Sequence, residues 1–337
     1  MQPWQYEIER AGRSQREGKE EISSYEAICR ESEIPSTYFQ MNDNLELRTL
    51  EERIKKQVVG QDHVIQPIVS SILRSTIGLS KPTKPIGSFL LVGDSWMGID
   101  LAKTLVNELF HDESFLIRID MFAYSDRNSD SRLLGSLGQT GQLIEVCRRP
   151  FSIVLFENVE EASTAVLNIL CSIINFGKLS NAMGSEIDFS NTMVLMTTNI
   201  DLYNSKCGEE IFLEQVRNSI IQKFQTRFSE RMLQEMQILV FDKPSMEYFR
   251  GILEREIFYI SKLMKIRGRS LKVTPEAIDA ILTSNIPKPV DFRAIKKWLD
   301  DDLKMVLARK ILDVNMPPFS QINVGVNLEG KLQYDFA

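Results

Sequence analysis

Between residues 88 and 103 the chain reads SFLLVGDSWMGIDLAK: a short apolar run, Gly93, four residues, Gly98 and then an amphipathic stretch. A strand, a glycine loop and a helix start in that order let backbone N–H groups at the helix N-terminus cradle a phosphate. In the working form of such a loop the second glycine is followed by Lys and by Ser or Thr. The ammonium meets the outer phosphates and the hydroxyl meets magnesium. Here Ile99 and Asp100 follow Gly98, and Asp94 follows Gly93. Two carboxylates therefore stand where a triphosphate would sit, each repelling it by on the order of 1 to 4 kcal/mol at about 4 Å. Lys103 is no substitute, because a further helical turn points it away from the loop. Gly93, Asp94, Gly98, Ile99 and Asp100 thus read as a vestigial phosphate loop.

The elements that must hold this loop are legible around it. Apolar runs at 88–92, 115–119, 152–156 and 193–197 alternate with helical patterns, which predicts a parallel sheet flanked by helices. Leu101, Leu105 and Leu109, with Ala102, Val106 and Phe110 beside them, form one helical stripe, and Val166, Ile169, Leu170, Ile173 and Ile174 form another. Both read as core. Upstream, Leu47, Leu50, Ile54 and Val58 predict a helix over 45–58, broken at Gly60, and Val64, Ile68, Ile72 and Leu73 predict a second. Beyond residue 241 the patterns are helical over 246–265, 275–282 and 292–312. A closing pair, 322–326 and 331–336, joined across Glu329 and Gly330, reads as a hairpin. The expected fold class is α/β: a P-loop-type three-layer module with a parallel sheet, then a small, mainly helical C-terminal domain with a terminal hairpin. Residues 1–25 have almost no apolar periodicity and read as disordered or linker, 26–241 as the large α/β domain and 242–337 as the small domain.

Bulk properties narrow the partners. The chain has 337 residues, 43% hydrophobic and 26% charged, with a formal net charge of −6. That composition suits a globular protein, and the charge gives no electrostatic reason to expect nucleic acid or an anionic membrane. A local basic cluster at 262–269 reads as a solvated helix end. Cys29, Cys147, Cys171 and Cys207 form no CxxC pair, and only His63 and His111 are at hand to join them. No metal site is expected, and the thiols read as reduced and mostly buried. The apolar runs are too short to span a bilayer and the charged amino-terminal stretch has no signal-peptide core, so the expectation is an intracellular, cytoplasmic protein.

Several stretches together resemble a known family. VVGQDHVI from Val58, KPIGSFLLVG, LIRIDMFAYSDRNSDSRLLG, GQLIEVCRRPFSIVLFENVEEAS and IDFSNTMVLMTTN are similar to the second AAA+ module of the ClpB family of heat-shock disaggregases. RAIKKWL resembles that family's small helical domain. The likeness runs collinearly from about residue 26 to the last residue and implies an AAA+ fold. It also carries Val58 and Val59 over as nucleotide-contacting positions.

The resemblance implies roles that this sequence only partly keeps. Where the family has GPTGVGKT, the chain runs from Gly93 to Asp100 without Lys or Thr after Gly98. The family's LLDE, whose Asp orders the magnesium shell and whose Glu polarises the attacking water, is matched by Leu155, Phe156, Glu157 and Asn158. Glu157 retains a carboxylate that reaches a metal through a longer arm, but the amide of Asn158 is not a base at neutral pH. Glu160 and Glu161 fall on the next turn and read as solvated. Asn199 matches the sensor 1 polar residue. Arg293 matches the sensor 2 arginine, with the family's Gly and Ala replaced by Asp291 and Phe292. Arg231 is a candidate for the arginine that reaches a neighbouring subunit, Gln234 being the alternative when no insertion is allowed. The family's substrate-gripping loop carries a tyrosine; here Gly135 reaches Gly141 through SLGQT, with no aromatic. The implied protein is a catalytically degenerate AAA+ pseudo-ATPase acting through protein contacts: self-association, a ClpB-type chaperone ring, or clients. No cofactor is expected, ATP with magnesium binding weakly at best. The competing reading is a slow ATPase in protein disaggregation that uses Glu157, Asn199 and Arg293.

Overall fold

The computed structural model describes residues 44–81, 83–126, 128–136, 139–181, 184–199, 230–288, 290–313, 320–327 and 331–336. They divide into two compact units. The first runs up to Lys56 and from Gln61 to Asp242; the second holds Gln57–Gly60 and everything from Lys243 on. The segment at 1–25 read as disordered or linker lies outside the described residues, as does the turn at Glu329 and Gly330.

The first unit opens with helices α1 (Asn44–Gln57) and α2 (Asp62–Thr76), followed by strand β1 (Gly87–Val92) and helix α3 (Ser95–Phe110). Next come β2 (Leu116–Asp120), α4 (Ser129–Leu134), a short antiparallel pair β3 (Gly135–Ser136) and β4 (Gln139–Thr140), and α5 (Ile144–Arg148). The chain continues through β5 (Ile153–Glu157), α6 (Thr164–Phe176), a hairpin of β6 (Lys178–Ser180) and β7 (Glu186–Asp188), and β8 (Met193–Thr198). It closes with α7 (Glu230–Glu235) and β9 (Gln237–Val240).

Five strands form one parallel sheet in the order β2-β5-β8-β1-β9. The four expected strands are present, each within a residue of its predicted ends. The fifth, β9, was not predicted, because QILV is only four residues long and its alternation is too short to distinguish from a helix end. All six positions of β8 are buried, as befits a central strand covered on both faces.

Side-chain alternation assigns the two faces. Leu90, Val92, Val154, Phe156, Val194 and Met196 share one core cluster with Val166, Leu170 and Ile173 of α6. Each such apolar side chain contributes at most about 1.5–3 kcal/mol when fully buried. Ser163 caps α6, its hydroxyl accepting from the N–H of Val166 at 3.4 Å, and Gly177 ends it in a left-handed conformation. On the opposite face α3 lies against Leu91 and Thr197, the neighbours a side chain at Gly98 would meet. The result is a helix–sheet–helix sandwich.

This strand order sets where a ligand belongs. From β1 the chain crosses to β2 at one edge; from β8 it goes the other way, past β1 to β9. Open parallel sheets bind ligands outside the carboxyl ends of strands at such a reversal. Gly93 and Asp94, just past β1, and Asn199, just past β8, stand there.

The second unit contains α8 (Met246–Ile266), β10 (Ser270–Val273), α9 (Pro275–Ala280), α10 (Phe292–Trp298) and α11 (Met305–Asp313). A π turn at Leu299–Lys304 joins α10 to α11, so the helix predicted over 292–312 is continuous but contains one wider turn. The terminal hairpin, β11 (Gln321–Val326) with β12 (Leu332–Phe336), is antiparallel as expected. It is also part of a three-stranded sheet, because β10 pairs in parallel with β11. SLKV lies too close after a long helix to have announced itself as a strand. No helix among the described residues is long and apolar enough to cross a membrane.

Candidate functional site

The loop after β1 keeps the backbone form that its glycines imply. Gly93 is buried with φ 136°, a region that side chains disfavour, and its N–H donates to the carbonyl of Thr198 at 3.1 Å. Asp94 then takes the N-cap position, its carbonyl accepting from the N–H of Met97 at 2.9 Å. A carboxylate residue thus stands at the positive end of a 16-residue helix. Ile99 and Asp100 are half-buried on the first turns of α3.

Gly98 has a packing role of its own. A Cβ at this position would come well inside 3.0 Å of Thr197 Cγ2 and within 3.4 Å of Leu91 Cδ1. The glycine lets α3 press onto the sheet, irrespective of any phosphate. Lys103 pairs with Glu113 at 3.5 Å, a partner off the loop, in line with the expectation that it points away.

Beside the loop, β5 ends in Glu157 and Asn158. Glu157 is buried, and both its oxygens are taken: Arg118 donates through Nε to Oε1 at 2.6 Å and through Nη2 to Oε2 at 3.1 Å. Strand register explains the pairing, since Arg118 and Asp120 of β2 lie opposite Leu155 and Glu157 of β5 and therefore point to the same face. These bonds hold the Arg118 guanidinium above its ordinary range, in opposition to its partial burial. The free longer arm expected of Glu157 is thus replaced by a bidentate ion pair. No property of Glu157 alone signals this; the alternation of LIRID against IVLFE across a parallel pair would have.

Asn158 adopts a left-handed conformation, φ 55° and ψ 53°, which Asn tolerates better than most residues. The residue joins three neighbours, two of them through its side-chain amide. Oδ1 accepts from the Ser95 hydroxyl at 2.9 Å, Nδ2 donates to Asp120 Oδ1 at 3.2 Å, and its backbone N–H donates to Thr197 Oγ1 at 3.2 Å. An amide is both donor and acceptor, so it bridges a hydroxyl and a carboxylate where a second carboxylate could only accept.

Glu160 departs from the solvated position predicted for it. It is half-buried, and its Oε1 accepts from the backbone N–H of Asn199 at 2.8 Å, fixing the end of β8; Glu161 is exposed. The 3-10 turn at Val159–Glu161 is the physical reason, since it folds Glu160 back over the strand ends.

The remaining candidates belong to other elements. Arg231 lies on α7 next to the start of that helix, and Gln234 is exposed on the same helix. Val58 and Val59 fall in the short piece grouped with the second unit, Val58 fully buried and Val59 half-buried. Arg293 belongs to the second unit, exposed on the first turn of α10. The residue before that helix explains one change of motif: Asp291 caps α10, its Oδ1 accepting from the N–H of Ala294 at 2.6 Å, a role glycine has no side chain to fill. At the position of the gripping loop stands the β3–β4 pair. A Cβ at Gly141 would collide with the backbone of Gly135 and Leu134, so two glycines close that loop tightly. Among the described residues no three His, Cys, Asp or Glu side chains converge on a metal position.

A family model for an AAA domain (Cdc48 subfamily) matches residues 84–236. Among similar proteins, a chaperone protein ClpB of Prochlorococcus marinus is 34% identical over 301 residues, covering 85% of this chain and 34% of the relative. A chaperone protein ClpB of Gloeobacter violaceus is 32% identical over 91% of this chain and 36% of its own length. A heat shock protein 100 of Trypanosoma brucei brucei is 30% identical over 89% of this chain and 36% of its own. The chain spans about a third of the length of these relatives.

Proposed function

Because this chain carries a ClpB-like AAA+ module, we propose that it is a catalytically degenerate form of that module, corresponding to the second of the family's two, and works through protein–protein contacts without ATP-driven threading. The observation that carries the reading is that the groups at the metal and water-activating positions are already engaged by other protein side chains. Glu157 is spent on Arg118, and Asn158 is spent on Ser95 and Asp120.

The residues present do not fit a nucleoside triphosphate with magnesium. The ammonium and hydroxyl that would meet phosphate and metal are Ile99 and Asp100, and Asp94 brings a like charge to the helix N-terminus. Asn158 has no basic oxygen with which to take a proton from water. Binding and turnover both lack their residues, and the stretch between Gly135 and Gly141 has no aromatic residue to grip a polypeptide. Self-association, docking on a ClpB-type chaperone ring, or holding a client without processing it are the roles left to the surface.

The test is titration of a fluorescent ATP analogue with magnesium, followed by phosphate release. The expected result is no saturation up to about 1 mM, an affinity weaker than about 4 kcal/mol, and no turnover. Saturable binding that is lost in Asn199→Ala and Arg293→Ala would overturn the reading in favour of a slow ATPase. The contact half is tested separately by light scattering and pull-down with an intact ClpB-type protein. It fails if the chain neither self-associates nor binds.

A further inference from the structure

The second unit carries a groove that none of the nucleotide-site candidates lines. A cavity of about 390 Å³ is lined by the C-terminal half of α8 with the turn after it and by residues of the long C-terminal helix. Buried Ile260 and Met264 line it together with Leu263, Ile266 and Ile311. The lining is completed by Arg267, Arg269 and Lys304, with no acidic side chain among the described residues.

The same two helices also carry exposed apolar side chains. Tyr259, Leu263 and Ile266, spaced four and three apart on α8, are 59%, 46% and 82% exposed, which places them on one helical stripe. Met305 and Leu312, seven apart on α11, are 47% and 78% exposed. Exposed apolar clusters with a polar rim mark interaction sites. The three charged side chains of the lining, Arg267, Arg269 and Lys304, are all cationic, Lys304 being paired with Asp300. Lys262 lies over the Phe258 ring at 4.7 Å, Lys265 and Arg267 follow it, and Lys304 is steadied by Asp300 at 2.6 Å on its own helix. In a chain with a net charge of −6, this is a local inversion of charge. The basic cluster at 262–269 is therefore more than a solvated helix end: it borders an apolar trough.

We propose that this groove seats an amphipathic helix of another protein, apolar on one face and flanked by Asp and Glu. Charge complementarity selects the acidic flanks and sets the orientation. The two-helix walls, with apolar side chains at helical spacing, accept a third helix in the way helix-in-groove recognition does, through anchors at i, i+3 or i+4 and i+7. The cavity is concave and sized for a few buried side chains, which suits peptide anchors better than a flat lipid surface. The proposal stands whether or not the first unit turns over ATP.

The experiment uses the full chain and two fluorescein-labelled synthetic peptides. One repeats Glu-Glu-Leu-Leu; the other replaces each Glu with Lys. By fluorescence anisotropy the acidic peptide is expected to bind saturably and the basic one at least about tenfold more weakly. Ile266→Asp, at a position exposed enough to leave the fold intact, should weaken the acidic peptide by about tenfold or more. Reversal of the rim with Arg267→Glu and Lys304→Glu should invert the preference between the peptides, with circular dichroism confirming that each variant is folded. Equal binding of the two peptides, or indifference to both sets of variants, would overturn the proposal. So would a dimer that Ile266→Asp dissociates, which assigns the groove to a second copy, or anionic vesicles that bind with the same sensitivity to the variants.

Discussion

Gly98→Ala separates a glycine kept for packing from one kept for phosphate. The added Cβ would meet Thr197 Cγ2 well inside 3.0 Å, whereas its next contacts, Leu91 Cδ1 at 3.4 Å and Thr197 Cβ at 3.6 Å, are ordinary ones. One methyl group therefore decides the outcome, and it must give way by roughly 1 Å in a close-packed interior, which costs about 1–3 kcal/mol. Alanine on the first turns of α3 returns at most about 1 kcal/mol of helix propensity. The net effect in the parent chain is a loss of about 0–2 kcal/mol. Thr197→Ser removes the obstructing Cγ2 yet keeps the hydroxyl that accepts from the Asn158 N–H at 3.2 Å. By itself it should cost about 1 kcal/mol for the lost buried methyl. In that background Gly98→Ala should become neutral or stabilising, giving a coupling of about 1–3 kcal/mol between the two sites. Urea unfolding of the four proteins, read as midpoints at constant m-value, supplies the cycle. If Gly98→Ala stabilises the parent chain, or the two substitutions simply add, α3 is not seated on Thr197 as described and the packing account of the second glycine fails.

Other consequences are open to the same kind of measurement. Arg118→Met leaves the buried Glu157 carboxylate without its bidentate donor; because Arg118 itself is 44% exposed, solvent moderates the loss to about 1–3 kcal/mol. Adding Glu157→Gln should recover part of it, and a change under about 0.5 kcal/mol for Arg118→Met would show that the pair does not hold the strand ends. Gly141→Ala should destabilise the first unit by more than Gly98→Ala does, because its obstacle is the backbone of Gly135 and Leu134; hydrogen exchange across 133–143 would register it, and unchanged protection would count against the tight closure. Ile99→Lys with Asp100→Thr should give saturable binding of magnesium ATP without phosphate release, and release should follow only when Asn158→Glu is added; turnover by the first double variant would place the general base elsewhere.

Much of the fold was legible because it depends on local periodicity. Phe89 to Val92 and Met193 to Met196 read as strands, and Leu101, Leu105 and Leu109 as a helix face, since period two and period 3.6 leave their marks within a few residues. The short strands QILV and SLKV left no comparable mark. They are strands because β1 and β11 offer them a parallel edge, information that lies far away in the chain.

The sequence by itself determined which chemical groups are available at the site. Ile99 and Asp100 follow the second glycine, Asn158 follows Glu157, and no aromatic lies between Gly135 and Gly141, whatever the fold does with them. Only the tertiary structure decided what those groups do instead. Arg118 and Glu157 are 39 residues apart, as are Asn199 and Glu160, and each pair meets because neighbouring strands or strand ends bring it within hydrogen-bonding reach. The same holds for Gly98 of α3, whose value lies in a methyl group of Thr197 on β8, the strand that helix packs against. Composition and spacing are properties of one segment, whereas pairing and close packing belong to two segments that only the folded sheet makes adjacent.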